Sequence, residues 1–335
     1  MKKTIICILL LLWLSVLGIA FSQASEGLIV FTKSEFTRDG FREQIIKGIY
    51  SERIWWTFFQ RNICVINPDG TGFKQLTDDN TNYHPQWSPD GKKIAFCSGP
   101  PPRVSLHIID PNGENRTEVM KWQNDIYDFR WSPDGTKIMV YVETNSPRDP
   151  EETWIVTIGK ENSVERMGSS EWAKGWNHWN STGATVLNPN RRLIDALPEG
   201  IEWPEWSPDN IYIAFLYKGK LALANTTVVG MPEKWHLGEF DPPCNRIIRW
   251  SPDGSKFLFL GGGDVSSINV DGSGITNLSM SEATDACWSP TGEYIAYTST
   301  DGRKKNTEIY IMNADGAEHV RITNTNYFHM DVDWK

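Results

Sequence analysis

The sequence predicts an all-β ring, a six-bladed β-propeller with five blades as the alternative, and two recurring hairpins carry that prediction. The first is Trp87-Ser88-Pro89-Asp90-Gly91, which returns as Trp131-Ser132-Pro133-Asp134-Gly135, Trp206-Ser207-Pro208-Asp209-Asn210, Trp250-Ser251-Pro252-Asp253-Gly254 and Trp288-Ser289-Pro290-Thr291-Gly292. The second is a strand ending in an Asx-Gly turn, at Asn67-Pro68-Asp69-Gly70, Asp110-Pro111-Asn112-Gly113, Asp271-Gly272 and Asp315-Gly316. The two alternate in phase, so one repeat holds four strands, the content of a propeller blade.

The turn chemistry explains the first motif. Pro presets φ for the second turn position, Asp tolerates the third, and Gly supplies the positive φ of a tight reversal. Asn210 replaces Gly with the residue next best suited to that conformation. The tryptophan before each turn is a large apolar wedge between neighbouring sheets. Fainter copies occur at Trp179-Asn180-Ser181-Thr182-Gly183 and at the chain's end, Asp331-Val332-Asp333-Trp334. The anchors Trp87, Trp131, Trp179, Trp206, Trp250, Trp288 and Trp334 average about 41 residues apart, one blade length. Only the 179–206 interval is short, so it holds either a three-stranded blade or part of one enlarged blade over 131–206.

Residues 1–24 read as a secretory signal peptide, with a basic start at Lys2 and Lys3, an apolar stretch over 5–17 and a small-residue cleavage site ending at Ala24. An uncleaved membrane anchor is the alternative. Residues 25–335 then form one propeller domain in a periplasmic or extracellular setting, with no further membrane span. Losing the two lysines deepens the formal net charge from −9 to −11. A chain so acidic, without a basic cluster, argues against nucleic acid as a partner. Export permits disulfides, but Cys64, Cys97, Cys244 and Cys287 lack zinc-site spacing. They are expected to be mostly buried thiols.

Along the chain, Leu28-Ile29-Val30-Phe31 resembles the strand that follows each tryptophan hairpin, but the hairpin itself is missing. The truncated copy ending at Trp334 supplies it. The C-terminal strand is therefore expected to complete the N-terminal blade, leaving no open sheet edge. Residues 33–61 form an insertion outside the repeat. Within it, 42–50 could form a short helix, and Ile54-Trp55-Trp56-Thr57-Phe58-Phe59 is β-prone.

With these motifs in hand, the chain resembles the TolB-type β-propellers, a WD-repeat-like family marked by the tryptophan-serine-proline-aspartate-glycine turn. The resemblance spans residues 25–335. It implies the ring fold, and it leaves function open because the motif residues are structural. TolB itself carries an α/β domain ahead of the ring, whereas here the first blade strand follows almost directly on the cleavage site. Related propellers also accompany prolyl-oligopeptidase-type hydrolases, but this sequence has no G-x-S-x-G elbow.

A site needs residues that differ between blades. Three residues before the anchors stand His84, Asp128, Trp176, Trp203, Ile247, Asp285 and Asp331. His84, Asp128, Asp285 and Asp331 could converge at the channel mouth and bind a divalent cation or a basic group of a partner. Arg130, Arg246 and Arg249 could equally neutralise those carboxylates in a hydrated polar mouth. A histidine-based, metal-dependent polysaccharide lyase site would need more than His84 and His178 near that level. Tryptophans 172, 176, 179, 203 and 206 could stack on glycans, although two of them are already blade anchors. No nucleophile–base pair stands out. The expected function is a non-catalytic binding platform of the cell envelope, most readily for another envelope or secreted protein. The alternative is a polysaccharide-acting enzyme with a metal or acid–base site at the channel mouth.

Overall fold

The structure, a computed structural model, describes residues 27–37, 59–100, 103–122, 124–144, 151–159, 162–169, 201–209, 211–217, 219–225, 244–279, 282–300 and 306–335. The predicted helix over 42–50, the aromatic stretch before Phe59 and the signal peptide lie outside these residues, as do Trp176, His178 and Trp179.

The strands fall into six antiparallel sheets. Strands β1 (Ile29–Phe36), β2 (Phe59–Ile66) and β3 (Lys74–Gln75) belong to blade 1. Blade 2 is β4 (Asn82–Trp87), β5 (Ile94–Ser98), β6 (Ser105–Ile109) and β7 (Thr117–Lys121). Blade 3 is β8 (Ile126–Trp131), β9 (Lys137–Glu143), β10 (Glu151–Thr157) and β11 (Ser163–Ser169). Blade 4 shows three strands among the described residues, β12 (Ile201–Trp206), β13 (Tyr212–Tyr217) and β14 (Lys220–Asn225). Blade 5 is β15 (Cys244–Trp250), β16 (Lys256–Gly261), β17 (Asp264–Asn269) and β18 (Thr276–Asn277). Blade 6 is β19 (Ala283–Trp288), β20 (Tyr294–Thr300), β21 (Thr307–Asn313) and β22 (Val320–Arg321). The last strand, β23 (Phe328–Trp334), pairs with β1 and makes blade 1 four-stranded.

The blade count is therefore six. The interval from Trp131 to Trp206 holds one described sheet, blade 3, followed by residues 170–200. Ring closure is as the sequence foretold, with Trp334 opposite Ile29. That is the register of Trp87 with Ile94, Trp131 with Ile138, Trp206 with Ile213, Trp250 with Phe257 and Trp288 with Ile295. Backbone bonds Leu28 N–H to Lys335 O (2.6 Å) and Lys335 N–H to Leu28 O (3.1 Å) stand where the other blades have a covalent turn.

Inside the turns, the serine and aspartate of the motif act together. The Ser132 hydroxyl donates to Asp134 Oδ1 (2.6 Å) while its oxygen accepts the Lys137 N–H (2.9 Å). Ser88 with Asp90 and Ser251 with Asp253 repeat the arrangement. Each of these serines is buried, so the hydroxyl satisfies a backbone donor that water cannot reach. Gly91 and Gly135 adopt the positive φ, 68° and 69°, that the reversal demands.

The core lies between neighbouring blades. Five apolar clusters occupy the 1/2, 2/3, 4/5, 5/6 and 6/1 junctions among the described residues, filled by side chains such as Phe96, Phe129, Phe257, Leu258 and Phe31. The tryptophans also bond across these junctions. Trp131 Nε1–H donates to Gln86 O (3.4 Å), Trp250 Nε1–H to Glu205 O (3.1 Å) and Trp288 Nε1–H to Arg249 O (3.3 Å). Each acceptor precedes the previous blade's tryptophan by one residue, so the inner strands run in the same sense and at the same level.

Candidate functional site

The strands that begin at the channel mouth are β23, β4, β8, β12, β15 and β19, and all six carry a register shift upstream of the tryptophan, at the start of the strand in β8 and β19 and closer to the tryptophan in the others. A β-bulge re-aims the side chains around it and bends its strand. The strain is visible in the backbone. His84 (φ 56°) and Asp331 (φ 55°) occupy the left-handed region without being glycine.

His84, Asp128, Asp285 and Asp331 stand on β4, β8, β19 and β23, and their surroundings are unequal. His84 Nε2 and Asp128 Oδ1 are 3.4 Å apart, linking blades 2 and 3. Asp331 Oδ2 accepts the Thr32 hydroxyl (2.9 Å) and faces the His84 N–H (3.2 Å). Asp285 is buried, with Oδ1 taking the Ala286 N–H (2.9 Å) and Oδ2 the Val332 N–H (2.8 Å). Among the described residues there is no group of three or more His, Cys, Asp or Glu placed to hold a metal ion.

A second tier, one residue before each anchor, escaped the sequence reading except at Arg130 and Arg249. It consists of Gln86, Arg130, Glu205, Arg249, Cys287 and Asp333. Arg130 Nη2 pairs with Asp128 Oδ2 (3.0 Å) and with Glu205 Oε1 (2.7 Å), joining blade 3 to blade 4. Asp333 Oδ2 accepts the Trp87 N–H (2.8 Å), joining blade 1 to blade 2. Arg249 Nε is buried and has no hydrogen-bond partner among the described residues. The signal was available, since positions one and three before the anchor share a strand face at period 2. The bulges kept that alternation from being read reliably.

The electrostatics follow from burial and spacing. Desolvation pushes the Asp285 carboxyl up to about 6, against the pull of Arg249 and with a further push from Asp331. Burial also raises Asp333, with Arg249 and Arg130 opposing. Arg249 is raised overall, because Asp285, Asp333 and Glu205 outweigh both its burial and the repulsion of Arg130. The arrangement is thus a ring of polar staples in which most carboxylates serve neighbouring strands. The fold that carries this ring is a six-bladed β-propeller.

Among solved structures, the chain is similar to TolB from Acinetobacter baumannii, with a TM-score of 0.59 at 16% identity over 92% of this chain and 66% of that one. It is similar also to the β-propeller domain of the Trilobed protease from Pyrococcus furiosus, with a TM-score of 0.54 at 15% identity over 90% and 94% of the two chains. No protein-family model matches. Among curated proteins, 182 residues are 27% identical to Dipeptidyl-peptidase 5 of Porphyromonas gingivalis, covering 49% of this chain and 26% of that protein. The same enzyme of Porphyromonas endodontalis is 23% identical over 111 residues, covering 33% of this chain and 16% of that protein. The matched stretches therefore span about a quarter or less of these relatives.

Proposed function

We propose that the chain is a non-catalytic binding platform, secreted or periplasmic, that engages another protein through the end of the ring where the inner strands begin. One observation carries this reading. The described ends of β1, β9, β11 and β20 and the described starts of β2, β10, β12 and β21 lie at that same end, because they are second-to-third or fourth-to-next-inner strand links, and the sequence between them differs in length and composition from blade to blade. The opposite end carries the short hairpins, among them the recurring tryptophan-serine-proline turns. Blade-to-blade differences in sequence, which selective binding requires, thus fall between strand ends on one side of a rigid frame. Tyr127 and Phe36, both exposed, lie at this end. The signal-peptide reading supports the compartment. The partial likeness to dipeptidyl-peptidases supports a polypeptide over a glycan as the partner.

The test is crosslinking in intact cells followed by capture of the tagged chain. Tyr127→Asp, at the mouth end, is expected to lose the captured protein. Ile275→Asp, on an exposed residue at the hairpin end, is expected to keep it. Loss in both variants, or no specific capture by the parent chain, overturns the proposal. Turnover on a glycan panel that disappears in Asp128→Ala would put the polysaccharide-acting alternative in its place.

A further inference from the structure

Two arginines stand in equivalent places on the inner strands. Arg130 opposes Met139 just before Trp131 opposes Ile138, and Arg249 opposes Leu258 just before Trp250 opposes Phe257. Their acceptors differ. Arg130 Nη2 holds Asp128, two positions back on its own strand, and Glu205, one position before Trp206 on the next blade. The corresponding positions around Arg249 are Ile247 and, one before Trp288, Cys287. Neither supplies a carboxylate, and Cys287 packs in the apolar cluster of the 6/1 junction. The Arg249 guanidinium accordingly makes no hydrogen bond or ion pair with another described residue, and its Nε is buried.

The other acids of the ring do not fill this gap. Asp285 gives its two oxygens to the Ala286 and Val332 N–H groups, and Asp333 Oδ2 takes the Trp87 N–H. Glu205 is drawn to Arg130. These acids balance the charge of Arg249 from a distance and leave its donors open. A buried donor without an acceptor is costly, and such groups call for an explanation. Arg249 is only partly buried as a residue, so a ligand can reach its side chain. The missing acceptor has a defined chemistry, because a planar guanidinium fork matches a carboxylate. Arg130 already sustains two carboxylates, so one at Arg249 asks less of the ring.

We propose that Arg249 is a ligand-binding position, at which a carboxylate from outside the chain completes the fork as Asp128 and Glu205 complete that of Arg130. A small free acid and the C-terminus of a peptide offer the same group, and the experiment separates them. The site is independent of the platform reading, since capture of a partner protein can fail while a small acid still binds, and the reverse.

The experiment follows the arginine Nε–H resonances of the nitrogen-15-labelled full chain by NMR at constant ionic strength. The probes are acetate, acetamide, and tetra-alanine as the free acid or the C-terminal amide. The Arg249 resonance, assigned by its loss in Arg249→Lys, is expected to shift saturably with acid and to ignore the amides, while Arg130 stays in place. A response to acetate supports a site for small free acids, and a response to the peptide acid alone supports a site for a chain terminus. Ile247→Asp puts a carboxylate where Asp128 stands relative to Arg130. It is expected to abolish the response by filling the fork from within, and it serves also if Arg249→Lys fails to fold. No saturable shift with either acid, an equal response to the amides, an equal shift of Arg130, or a response persisting in Ile247→Asp overturns the proposal.

Discussion

Trp334 and Ile29, from opposite ends of the chain, are ladder partners in the register that Trp87 and Ile94 share across a covalent turn. The closing blade is thus a regular blade whose first hairpin is cut. Trp334 is 4% exposed and packs with Ile29, Phe31 and Val332. Trp334→Ala is expected to cost about 3–5 kcal/mol, measured by urea unfolding. A loss under about 1 kcal/mol would mean that the closure contributes little to the fold.

The same register predicts a productive circular permutation. Replacing Lys335 and Leu28 by Ser-Pro-Asp-Gly-Lys-Lys would rebuild the missing turn, with new termini opened between Met280 and Ser281. The permuted chain is expected to fold and to melt no lower than the parent, because all four strands of blade 1 then come from one continuous stretch of chain. An unfolded permutant would refute the equivalence of the two hairpins.

The turn aspartates set the acid limb of stability. Serine hydroxyls hold the carboxyls of Asp90, Asp134, Asp209 and Asp253 below the usual range, aided by the backbone N–H two residues on. A lowered folded value gives stability that is present above the unfolded value, about 4, and lost as pH falls through the folded one. Asp285 acts oppositely, losing its contribution as pH rises through about 6. A melting profile against pH is therefore expected to peak between about 4 and 6. A profile rising steadily to pH 8 would exclude the Asp285 limb.

Most of the fold was legible because it rests on local rules written several times. The proline, aspartate and glycine of each turn are dictated within five residues, and Trp334 completed the set without its turn. The site was legible only in part. His84, Asp128, Asp285 and Asp331 follow from counting back three positions. Their partners do not, because Val332 N–H, Thr32 and Arg61 come from other blades or strands and no sequence period links them. Glu205 and Asp333 were missed for a nearer reason. In β12 and β23 a bulge falls between the two tiers and breaks the period-2 alternation that would have placed both on one face.

The Arg130 pair gives a coupling that can be measured. Its guanidinium bridges Asp128 of its own strand and Glu205 of the next blade, and each of these side chains is under a quarter exposed. Removing Glu205 leaves a largely buried arginine without its interblade carboxylate, so Glu205→Gln is expected to cost about 2 kcal/mol. Arg130→Met with Glu205→Gln should cost less than the sum of the single changes in a double-mutant cycle. Strict additivity would show that the bridge does not couple blades 3 and 4.

The cysteines make the last prediction. Cys64, Cys97 and Cys287 are free and buried in the interblade core. The Cys244 side chain lies outside what the structure describes. Burial pushes the Cys64 thiol up to about 12, and it raises Cys97 and Cys287 well above the usual range. Because the thiolate is the reactive form, all three should resist alkylation in the folded protein. Iodoacetamide followed by mass spectrometry is expected to label them only after unfolding, and labelling of Cys97 in the native ring would contradict the packing of blade 2 against blade 3.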